Sequence, residues 1–98
     1  MPISAKQRRR LKTLAHDLKP VLIVGQNGLT EGVLDEFDIT LETHELVKVR
    51  INAGDREERQ AMAATLCERG AADLVQRIGH VAVFYRRHPE KPKIRIDD

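Results

Sequence analysis

The stretch Val21-Leu22-Ile23-Val24-Gly25-Gln26-Asn27-Gly28-Leu29-Thr30-Glu31-Gly32 constrains this chain more than any other. Its four opening apolar residues, with no polar residue alternating among them, predict a short strand buried on both faces. Gly25 and Gly28 bracket Gln26 and Asn27, four residues suited to a tight turn with positive φ angles. Thr30 is placed to cap a helix, with Glu31 in the first turn where a carboxylate suits the dipole. Strand, glycine turn and helix start in succession put backbone N–H groups at the surface, where a phosphate or other anion can dock. A lone Gly-x-x-Gly is also an ordinary connection, so the rest of the chain has to decide its meaning.

A chain of 98 residues is one domain with one modest core. Its apolar content of 41% beside 33% charged residues is that of a globular protein, not a disordered one. The net charge of +2 hides an uneven distribution. Met1 to Gly28 holds six Lys/Arg and one acid, and Leu29 to Val47 holds six acids and no Lys/Arg. Arg86 to Ile96 returns to five Lys/Arg and one acid. Basic ends around an acidic segment predict one positive surface and one negative one, which favours a polyanionic partner on one side. The single Cys67 excludes an internal disulfide and suits a reducing compartment. The basic N-terminus lacks the apolar core of a signal peptide, and no apolar run is long enough to span a membrane. A cytoplasmic location is therefore expected.

Local signals mark each element in turn. Ser4 with Gln7 forms a capping-box pattern, so a first helix is expected from Ala5, with Leu11, Leu14, Ala15 and Leu18 as its apolar stripe. Lys6, Arg8, Arg9, Arg10 and Lys12 crowd its first two turns with no acid among them, and Pro20 ends the region. A second helix is expected from Glu31 to Thr43, buried through Val33, Leu34, Phe37 and Leu41. Its outer face carries Glu31, Asp35, Asp38 and Glu42. Leu46 to Asn52 alternates, with Val47, Val49 and Ile51 on one side and Lys48 and Arg50 on the other: a half-buried strand with a basic open face. Asp55 and Glu58 make a second capping box, opening a helix from Arg56 to Arg69 with Gly70 as its C-terminal cap. Two strands follow, Ala72 to Ile78 and Val81 to Arg86, joined by a hairpin turn at Gly79-His80.

The order helix, strand, helix, strand, helix, strand, strand predicts a two-layer α/β sandwich on a mixed four-stranded sheet. Right-handed crossovers make the first three strands parallel, and the hairpin adds an antiparallel strand at the edge. Residues 1–87 form the domain, and residues 88–98, with two prolines and alternating charge, a loosely extended basic tail.

Chemistry-bearing groups are sparse. His16, His44, His80 and His88 lack metal-ligand spacing, Cys67 lies on an apolar helix face, and no nucleophile elbow, phosphate-loop lysine or zinc-protease motif is present. Asp55, Glu57 and Glu58 are explained by capping. No enzymatic activity, metal or cofactor is expected. The only aromatics are Phe37, Phe84 and Tyr85, with Phe37 required by the core, so base stacking on an aromatic sheet is not expected either. Backbone recognition remains: cations plus a glycine loop that lets phosphates approach the main chain.

Several motifs together resemble one family. Gly25-Gln26-Asn27-Gly28-Leu29-Thr30-Glu31-Gly32-Val33-Leu34, His44-Glu45-Leu46-Val47-Lys48-Val49-Arg50-Ile51, Ile78-Gly79 and Val83-Phe84-Tyr85-Arg86 look like the YhbY-like CRM-domain family, as do Leu14-Ala15-His16 and Leu18-Lys19-Pro20. The resemblance runs from Ser4 to Arg87. It implies an RNA-binding module similar in fold to the C-terminal domain of bacterial initiation factor 3. Relatives in bacteria are associated with precursors of the large ribosomal subunit. By the same resemblance Gly25 to Gly28 is the RNA-contacting loop, with Lys48 and Arg50 on the basic face beside the first-helix cations. Two departures, Gln26 where many relatives carry a basic or small residue and His80 where many carry Lys, shift the charge towards the first helix and the tail.

The leading expectation is thus a non-catalytic protein that binds ribosomal RNA in large-subunit precursors and assists assembly. Gly25, Gln26, Asn27 and Gly28 would hold a phosphate through backbone N–H groups. Arg8, Arg9, Lys12, Lys19, Lys48, Arg50 and Arg86 would supply Coulomb attraction. The alternative is a protein-interaction adaptor whose acidic second helix docks a basic partner. DNA binding ranks below both, since the helix after the glycine turn is acidic and offers no base-reading residues.

Overall fold

The computed structural model describes residues 3–96. Helix α1 spans Ala5–Ala15, strand β1 Leu22–Val24, α2 Glu31–His44, β2 Leu46–Ile51, α3 Arg56–Gly70, β3 Asp73–Ile78 and β4 Val81–Tyr85. Each helix starts where its cap predicts. Ser4 Oγ accepts from the Gln7 N–H at 3.0 Å while the Ser4 N–H donates to Gln7 Oε1 at 2.9 Å, and Asp55 and Glu58 make the same reciprocal pair. Thr30 caps α2 by accepting from the Val33 N–H.

The strands form one mixed sheet in the order β1-β2-β4-β3, with β1 and β2 parallel and both pairs involving β4 antiparallel. The hairpin's last strand is therefore not an edge: β4 slots between β2 and β3. Composition explains the placement. Val81-Ala82-Val83-Phe84-Tyr85 tolerates cover on both faces, whereas Asp73, Gln76 and Arg77 suit β3 to an edge. β1, expected to be buried on both faces, is the opposite edge; Leu22 and Val24 are buried but Ile23 is 59% exposed.

On one face of the sheet α2 and α3 cover Leu22, Val24, Val47, Val49, Ile51, Ala82 and Phe84. Phe37 meets Phe84 edge-to-face with ring centroids 5.0 Å apart. Gly70 lies at the α2–α3 crossing, and a methyl group there would come within 2.7 Å of the Phe37 ring. Its role is close approach; the left-handed cap position expected of it belongs to Ala71, at φ 50°.

Helix α1 lies on the other face. Leu11 and Ala15 pack with Leu46, Val75, Val83 and Tyr85, joined by Ile3, Leu14, Ile94 and Ile96. Because α1 is a single short helix, it covers only part of that face. Residues 86–96 have no regular structure and are tied to the end of α2. The carboxylate of buried Glu45, at φ 63°, accepts from the N–H groups of His88, Lys93 and Ile94 at 2.6–2.8 Å.

Candidate functional site

The turn after β1 is closed by the Gly28 N–H donating to the Gly25 carbonyl at 3.0 Å. Of the two glycines, only Gly28 has positive φ, at 70°. Gln26 and Asn27 form the exposed tip, and among the described residues their backbone N–H groups have no protein acceptor. The turn runs through Leu29 into the N-terminus of α2, where Glu31 is drawn aside to Arg69 at 3.6 Å.

Beside this loop lies the part of the sheet that α1 leaves uncovered. Register places Ile23, Arg50, Val81 and Ile78 in one row across all four strands, their side chains on the same face. The next row towards α1 contains Lys48, Val83 and Gln76. The Leu18-Lys19-Pro20 segment, anchored where the Val21 N–H meets the Lys48 carbonyl at 3.0 Å, forms one wall. The resulting groove encloses about 370 Å³ between Leu18, Pro20, Ile78 and Val81, with Lys19, Lys48 and Arg50 around it. It continues along α1 past Lys12, Thr13 and His16, where Asp17 is the one carboxylate on its lining. Arg9 stands one turn earlier on the same helix face as Lys12, Thr13 and His16. No ion pair engages Lys12, Lys19, Lys48 or Arg50 among the described residues; Arg50 Nε donates to Asn52 Oδ1 at 3.0 Å.

Two cations that looked equivalent in the sequence are occupied elsewhere. Arg8 donates to the carbonyls of Leu74 and Val75, where the register of β3 shifts between Leu74 and Gln76. Arg86 is mostly buried on the α2 side, donating to Asp38 Oδ1 at 2.7 Å, to the Gly70 carbonyl and to Glu42. Neither faces the groove. Conversely, sequence reasoning did not single out Ile23, Gln76, Ile78 and Val81; Ile23 and Ile78 had a signal in being more apolar than an edge strand needs, whereas Gln76 and Val81 had none.

The aromatic inventory is closed: Phe37, Phe84 and Tyr85 are all buried. Burial, with Asp73 nearby, pushes the Cys67 thiol above its ordinary pKa and makes it a poor nucleophile. Among the described residues no cluster of His, Cys, Asp and Glu could hold a metal ion, and no helix is long and apolar enough to cross a membrane.

The CRS1/YhbY (CRM) domain model matches residues 3–86. The chain belongs to that family. It is 45% identical to a protein of Pseudomonas aeruginosa named a probable RNA-binding protein, over 95% of this chain and 89% of that one. It is 46% identical to an RNA-binding protein of Haemophilus influenzae, over 96% and 94% of the two chains. Among solved structures, a Staphylococcus aureus protein described as an RNA-binding candidate superposes with a TM-score of 0.82 at 35% identity, over 95% of this chain and 97% of the other.

Proposed function

We propose that this CRM-domain protein binds RNA without catalysing a reaction on it, and does so in the cytoplasm on precursors of the large ribosomal subunit. The observation that carries the RNA reading is the convergence of Lys12, Lys19, Lys48 and Arg50, free of carboxylate partners among the described residues, on one open face adjoining the glycine loop. Family membership and the names of the relatives support the same partner. In this reading the loop and the start of α2 hold a phosphate through the N–H groups of Gln26 and Asn27, and the cations attract neighbouring phosphates. The large-subunit assignment is supported by the family resemblance.

The adaptor alternative loses ground because Glu31, Asp38 and Glu42, three of the four acids it needs, already pair with Arg69, Arg86 or His88. Fluorescence anisotropy with a short single-stranded RNA tests the reading. Gln26→Asp and Asn27→Asp should leave the melting temperature unchanged and weaken binding by about tenfold or more, as a carboxylate faces a phosphate. Unchanged affinity in both variants would remove the loop from the site. Gradient sedimentation of the tagged protein should find it with large-subunit precursors. Absence from those particles would end the assembly role.

A further inference from the structure

The apolar surface of the groove asks for an explanation that phosphate binding does not supply. Of the five large hydrophobic residues most exposed among the described residues, four lie on or beside this one half-face: Leu18, Val21, Ile23 and Ile78, the last two at 59% and 65% exposure. Phosphates gain nothing from aliphatic carbon, and a surface built only to hold them would be polar throughout. We propose that the open half of the sheet seats unpaired nucleobases of the same RNA strand whose phosphates the flanking cations hold, a proposal that rests on the RNA reading above.

The geometry favours this occupant over a protein segment. Lys19, Lys48 and Arg50 surround the groove at Leu18, Pro20, Ile78 and Val81, and the one carboxylate on its lining is Asp17 at the α1 end, so the partner must bring apolar surface and negative charge together. A single-stranded nucleic acid does this in every residue, whereas a paired one hides its base faces in the stack. With the aromatics buried, the planar group within the row itself is the Arg50 guanidinium, between Ile23 and Val81. Its bond to Asn52 restrains it there, and guanidinium planes stack on bases much as aromatic rings do. Ile23 precedes Gly25 by two residues, so a strand crossing the row passes directly to the loop. Gln76, on the same face, adds an amide able to donate or accept at a base edge.

The test compares three probes of equal phosphate number: a single-stranded RNA, an abasic ribose-phosphate chain and an RNA duplex. The wild-type protein should bind the single strand about tenfold more tightly than the abasic chain, a difference of about 1.4 kcal/mol. Ile23→Ser with Ile78→Ser should remove that preference while leaving abasic binding, duplex binding and the salt dependence unchanged. Both residues are exposed, so the core is intact in this variant. Arg50→Lys, which keeps the charge and loses the plane, provides a second reading and should also narrow the gap between single strand and abasic chain. A double variant that still prefers the single strand as wild type does, or that loses both probes equally, overturns the base seat. If wild type binds single strand and abasic chain equally and Asn27→Asp weakens both, the base seat falls and the backbone reading stands. If wild type binds none of the probes at low salt, the RNA reading itself falls.

Discussion

A methyl group at Gly25 would touch nothing within 4 Å, and its φ is not in the left-handed region. The fold therefore has no need of glycine there, whereas Gly28 at φ 70° does. Gly28→Ala should cost about 1–2 kcal/mol, read from denaturant unfolding. Gly25→Ala should be neutral or stabilising by about 0.4–1 kcal/mol, yet weaken RNA binding if the phosphate approaches the main chain at that point; retained affinity would place the close approach elsewhere. Glu45 is the second residue with two roles. Burial raises its carboxyl pKa, but the N–H groups of His88, Lys93 and Ile94, with the charge of His88, outweigh burial and hold it below the ordinary glutamate value. A lowered folded-state pKa stabilises the fold above the unfolded value, and that stability is lost as pH falls through the folded one. Stability should therefore decline below about pH 4.3, and Glu45→Gln should flatten that decline. The same variant should cost about 1.5–3 kcal/mol at neutral pH, one charge-assisted bond in a buried site. It should also speed amide exchange at Lys93 and Ile94.

At the scale of elements, the α2–α3 crossing depends on the absence of a side chain. A methyl group at Gly70 would lie 2.7 Å from Phe37 Cε2 and 3.1 Å from Leu41 Cδ1, both held in the core. Gly70→Ala should cost about 1–3 kcal/mol through overpacking, while Ala71→Gly should gain about 1 kcal/mol by relieving a left-handed alanine; thermal melts of the two variants should move in opposite directions. The helix boundaries are legible in the sequence because each carries its own short-range signal, the Ser4–Gln7 and Asp55–Glu58 boxes above all. Strand order is not legible in the same way. An uninterrupted apolar run means a covered strand at Val81–Tyr85 and means something else at Val21–Val24, where half the run faces outward. Nothing local separates the two cases, because strand position is fixed by what the hairpin and the crossovers leave vacant. The apolar excess at β1 that the fold does not absorb is what marks the groove.

Over the whole molecule, charge separates by face. Glu31, Asp38 and Glu42 of α2 pair with Arg69, Arg86 and His88, while Lys12 of α1, Lys19 of the Leu18–Pro20 segment, and Lys48 and Arg50 of β2 face the open half of the sheet without an ion pair among the described residues. The sequence shows that such a basic surface should exist but not which cations belong to it. Arg8 and Arg86 meet their partners 66 and 48 residues away, so only the folded chain shows that they are bonded away from the groove. The groove cations set the expected salt dependence. With Arg9, Lys12, Lys19, Lys48 and Arg50 left, about four to five phosphates would be neutralised, and log K against log salt should fall with a slope of roughly −3 to −3.5 for single-stranded RNA. Lys48→Ala should reduce that slope by about 0.7, because one counterion fewer is released. Arg86→Ala should instead leave the slope alone and lower stability, since it removes the bond to the Gly70 carbonyl and the ion pairs with Asp38 and Glu42. Titrating both variants at several salt concentrations separates the two roles. A slope lost with Arg86 and kept with Lys48 would mean that RNA follows the α2 side of the molecule and not the groove.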